Sequence, residues 1–70
     1  MLDANQIATA LTCVLDASLS AVDPSGAALR RAHFSLREGL RMAEEMGVQS
    51  EASEVVRKLI ENLEEMETVH

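Results

Sequence analysis

Tryptophan and tyrosine are missing from this chain, Phe34 is its only aromatic residue, and Cys13 is its only cysteine. A single cysteine excludes an intramolecular disulfide, and no Cys/His set stands at the spacing a structural metal requires. Proline occurs once and glycine three times, too few for a loop-rich fold. No run of β-branched or aromatic residues alternates with polar ones as a strand would need. Ala, Leu, Val and Met carry the apolar fraction of 47%, and these residues favour helices.

The chain is also short. Seventy residues make one domain, and a single core of that size contributes only about 3–5 kcal/mol of net stability. Since neither a disulfide nor a metal can add to it, association with a like or unlike chain is the expected support. The composition therefore points to an oligomer or to a bound subunit.

Net charge is −6, unevenly placed: residues 1–22 carry −2, residues 23–47 sum to zero and residues 48–70 carry −4. That balance repels phosphate backbones and anionic lipid heads, which makes nucleic acid and membrane surfaces poor partners. The stretch from Ile7 to Val22 is as apolar as a signal-peptide core, but no Lys or Arg precedes it and Asp3 and Asp16 interrupt it. It reads as a mature helix. No apolar run approaches the ~20 residues of a membrane span, so the expected location is cytoplasmic.

Three helices are expected, at about 4–22, 24–46 and 51–67. Asp3 followed by Gln6 makes a capping-box start, Asp23 with Pro24 at the first helical position makes a second, and Ser50 before Glu51 makes a third. Gly47 stands where a left-handed C-cap belongs after Met46, and Val48 folds back behind it. In the third helix Ala52, Val55, Val56, Leu59, Leu63 and Met66 share one stripe, with Ile60 at its edge and the charges opposite. In the second, Leu29, Ala32, Leu36, Leu40 and Ala43 form a matching stripe, with His33 at its edge and Gly39 beside it. The first differs: Ala4, Ile7, Ala8, Ala10, Leu11, Val14, Leu15, Ala21 and Val22 spread over more than half its circumference. Asn5, Thr9, Thr12, Asp16 and Ser20 make only a narrow polar strip. The expected fold is all-α, a single three-helix domain spanning 1–70. Helices 2 and 3 form an antiparallel hairpin, and the apolar N-terminal helix packs across it and reaches a further neighbour.

Candidate chemistry is sparse. His33 lies in Arg-Arg-Ala-His-Phe-Ser-Leu-Arg-Glu-Gly, which resembles the neighbourhood of the phosphate-accepting histidine in histidine-phosphotransfer domains. That family places an apolar residue and then Lys-Gly soon after the histidine, whereas Gly39 comes six residues after His33 and the Lys is missing. His33 reads as structural. Cys13 has no His, Lys or Arg nearby in sequence to lower its pKa. The pairs Glu44/Glu45 and Glu64/Glu65 sit on solvated faces, and adjacent helical residues point about 100° apart, poor geometry for a carboxylate dyad. No enzyme activity, cofactor or metal is expected.

Phe34 is different, because it points roughly 140° away from Leu29, in a band that also holds Arg30, Arg37 and Arg41. Aromatic and arginine side chains are the types that dominate binding hot spots. A middle helix touches both neighbours, so Phe34 is expected either to be covered by helix 1 or by the acidic helix 3, or to lie in an interface. On the second reading Phe34, Arg30, Arg37 and Arg41, together with Ile7, Leu11, Val14 and Leu15 of the first helix, contact another protein or a second copy of the chain.

From Gly26 onward, Gly-Ala-Ala-Leu-Arg-Arg opens one helix, a short turn follows at Gly47, and Val-Val-Arg-Lys-Leu-Ile-Glu-Asn-Leu fills the next. This layout, over about two thirds of the chain, resembles the small helical-hairpin co-chaperones of type III secretion. The resemblance implies a helical-repeat partner with which the small subunit holds a needle subunit soluble in the bacterial cytosol. The long apolar first helix departs from that family, and no functional residue is carried over. The function expected is an adaptor, co-chaperone or regulatory subunit. A small inhibitor or antitoxin-like protein, including a phage-encoded one, is the alternative.

Overall fold

The computed structural model describes residues 2–68, with side-chain surroundings to residue 66. Three helices form: α1 (Ala4–Val22), α2 (Ala27–Glu45) and α3 (Glu51–Thr68). No strand occurs among the described residues. The all-α, three-helix reading holds.

Each boundary has a local cause. At the start of α1 the Gln6 amide donates to Asp3 Oδ1 at 2.8 Å and the Asp3 amide donates to Gln6 Oε1 at 3.0 Å, a complete capping box. At the end of α2, Gly47 has φ +78°, a left-handed value that is cheap only for glycine. From there the Gly47 amide donates to Glu44 O and the Val48 amide to Ala43 O, the paired bonds of a Schellman motif. Ser50 caps α3, its Oγ accepting from the Ser53 amide at 3.3 Å.

The start of α2 differs from expectation. Pro24 is not its first residue; the helix begins at Ala27, behind Gly26 in the left-handed region. Asp23, Pro24, Ser25 and Gly26 instead close a turn in which the Gly26 amide donates to Asp23 O at 3.1 Å. Asp first, Pro second and Gly fourth is the residue order such a turn prefers. The Asp23 carboxylate still serves α2, accepting from the Ser25 hydroxyl at 2.6 Å, the Ser25 amide at 3.1 Å and the Ala28 amide at 3.2 Å. One residue thus ends α1 and satisfies an amide in the first turn of α2.

Helices α2 and α3 run antiparallel. Arg57 lies 3.8 Å from Glu44 and His33 lies 3.6 Å from Glu64, so moving back along α2 moves forward along α3. The most extensive helix contact, however, is between α1 and α3. Ala8, Leu59 and Leu63 form the core, with Leu15, Leu29, Leu36, Val55 and Met66 packed around them. Ala8 is fully buried, and its small side chain lets α1 approach α3 closely. Beside it Thr12 is buried, its hydroxyl donating to Ala8 O at 2.7 Å and accepting from Asn62 Nδ2 at 3.2 Å. Part of the polar strip of α1 therefore faces inward. Part of the apolar face looks outward, which is the reverse of the simplest amphipathic arrangement.

Candidate functional site

The residues singled out on α2 fall into two groups. Phe34 is 65% exposed and forms one wall of a shallow depression of about 450 Å³, lined also by Ala27, Arg30, Arg31 and Ser35. Arg30 and Arg37 form no ion pair among the described residues. Arg31 flanks the ring on its other side; its charge helps the Ser25 hydroxyl and the Ser25 and Ala28 amides hold the Asp23 carboxyl below the usual carboxylate range. Arg31 was not among the expected residues. The signal was present, because 100° steps place Arg30 and Arg31 on either side of Phe34.

Arg41 belongs elsewhere. Its Nη1 donates to Glu45 at 2.7 Å, and its Nε and Nη2 donate to Glu38 at 3.1 and 3.0 Å. Two glutamates, one a turn before and one a turn after, take three of the guanidinium's five N–H donors, so Arg41 offers a partner little net charge.

On α1 the expected set also divides. Leu15 packs against the core and is not a free contact residue, because the helix turns its Ala8, Thr12 and Leu15 side toward α3. Ile7 is half-buried. Leu11 and Val14 are exposed, and Val22 beyond them is 81% exposed.

His33 is more enclosed than a helix-edge position implies. Only 5% of it is accessible, and its Nε2 faces Glu64 across the α2–α3 seam at 3.6 Å. A phosphate-accepting imidazole must present its ring to a partner protein, and this one is covered. Cys13 is exposed in a shallow groove with Thr9, Thr12, Asn62, Glu65 and Met66; among the described residues no basic side chain lines that groove to favour a thiolate. A second groove, bounded by Glu44, Val48, Ser50, Ser53, Glu54 and Arg57, is occupied by the ion pairs of Arg57 with Glu54 and Glu44.

Among the described residues no group of His, Cys, Asp and Glu could hold a metal ion, and no helix is long and apolar enough to cross a membrane. The chain matches no protein-family model, no curated protein and no solved structure.

Proposed function

We propose that this chain is a small protein-binding module, an adaptor, co-chaperone or regulatory subunit, that receives a partner on the N-terminal half of α2. The observation that supports this reading is Phe34: a single aromatic ring held in solvent, flanked by Arg30 and Arg31, with Arg37 one helical turn on, on a chain of net charge −6. The remaining cations, Arg41, Arg57 and Lys58, are engaged with glutamates of the chain itself. Among the described residues, the arginines around the ring form no ion pair with the chain's own carboxylates within 4 Å. An acidic segment carrying an apolar anchor meets that chemistry, with guanidinium forks for its carboxylates and the ring for its anchor.

The cytoplasm suits such a module, since a lone exposed thiol stays reduced there. Type III secretion is one setting in which a small helical subunit works this way, and there the partner would be a helical-repeat chaperone.

The test is capture from the native host by the tagged chain, read by mass spectrometry, with Phe34→Ala and Arg30→Glu as parallel baits. An exposed ring contributes little to the monomer, so Phe34→Ala should shift stability by no more than about 0.5 kcal/mol. The partner should be lost from both variants. A partner retained by both would place the binding surface elsewhere; a sharply lowered melting temperature for Phe34→Ala would make the ring part of the core.

A further inference from the structure

We propose that the outer face of α1 pairs with the same face of a second copy, giving a two-fold homodimer that leaves the Phe34 face of α2 open. Val14 is 60% exposed on this face, and Leu11 and Val22, also exposed, lie at its edge toward the Leu15 side. Ala10, Val14, Ala17 and Ala21 follow one another in steps of four, three and four, the spacing of a helix-pairing seam. All four are exposed.

Charge selects the occupant. In a two-fold contact each patch meets its own copy, so a charged face opposes itself. The outer face of α3 carries glutamates and that of α2 carries the arginines around Phe34. Asp16 is the only charged residue within α1, and it is half-buried on the side away from the seam. Two copies can therefore meet through α1 without like charges confronting each other, whereas a partner recognised by charge gains nothing there.

The chain carries more exposed surface than the average monomer of its mass. The chain exposes 5019 Å² at a mass of 7.6 kDa. Folded monomers of that mass expose about 4,300 Å², so the excess is about 700 Å². A specific interface of standard size covers about 800 Å² on each partner. The alanines let the two helices approach at the short end of the usual 8–10 Å range.

Sedimentation equilibrium of the full chain, from micromolar to millimolar, tests this. The expected result is a monomer–dimer equilibrium. Val14→Glu sets two carboxylates against each other at the seam and should weaken association by roughly tenfold or more, with helix content unchanged because the side chain lies outside the core. Ala17→Glu, one turn on, should do the same and serves if the first variant misfolds. A monomer at every concentration overturns the proposal. So does a dimer that survives both glutamates, or one that Phe34→Ala dissolves. Loss of dimer in the α1 variants with partner capture intact separates this proposal from the binding role of α2.

Discussion

At the scale of single residues, polar groups decide more than the hydrophobic pattern suggests. Asp23 accepts three hydrogen bonds from Ser25 and Ala28, and these with the nearby Arg31 charge hold its carboxyl below the ordinary range. A lowered folded-state pKa means that the ionised form is favoured by folding. The stability it contributes is fully present above the unfolded pKa, about 4, and is lost as pH falls through the folded value. Asp23→Asn keeps an acceptor oxygen but removes the charge, so its unfolding midpoint in urea should fall less steeply between neutral and acid pH than that of the parent. Parallel slopes would show that Asp23 carries none of the acid sensitivity. Thr12 and His33 show where sequence reading stopped. Steps of 100° place Thr12 in a polar strip and His33 at a stripe's edge, but they cannot reveal that Asn62, fifty positions from Thr12, supplies a partner across the helix seam. A buried polar residue is legible only once its partner is known.

At the scale of elements, punctuation was the most legible feature. The Asp3–Gln6 box, the Ser50 cap and the Gly47 stop act at the positions their chemistry implies, because each is settled within four residues of chain. The start of α2 was misplaced for the same local reason read incompletely. Asp-Pro suits a helix start, yet Asp-Pro-Ser-Gly suits a turn, and the turn takes Gly26 at φ +85°. Two glycines of opposite effect test this level. Gly39 lies in the body of α2, exposed, and a Cβ there would meet nothing within 4 Å. Gly39→Ala should stabilise the chain by about 0.5–1 kcal/mol, the usual helix-interior difference. Gly47 is equally uncrowded, but its φ of +78° makes any Cβ strained, so Gly47→Ala should cost about 1–2 kcal/mol. Thermal melts followed by circular dichroism should move in opposite directions; a shared sign would mean that packing rather than backbone conformation governs both sites.

At the scale of the whole molecule, three helices and the segregation of acid toward α3 could be read from the sequence, while the orientation of α1 could not. An apolar band covering more than half of a helix names no single core direction, and the neighbour chooses among the possibilities. Here α3 takes the Ala8 side, where a small residue permits close approach, and the larger Leu11 and Val14 are left outside. That choice gives a thin core, in which Leu63, 1% exposed, is the largest fully buried side chain among the described residues. Truncating a buried leucine costs about 2–5 kcal/mol, comparable with the ~3–5 kcal/mol that one core of this size contributes. Leu63→Ala should therefore leave the dilute chain largely unfolded. Dimerisation through α1 adds a concentration-dependent contribution, since the folded state alone presents the paired surface. Helicity of Leu63→Ala should then rise with protein concentration, while in the double variant carrying Val14→Glu it should stay low throughout. A Leu63→Ala chain that is fully helical at low micromolar concentration would show that the core around Ala8, Leu59 and Leu63 suffices by itself, and that the exposed face of α1 is not needed to keep the chain folded.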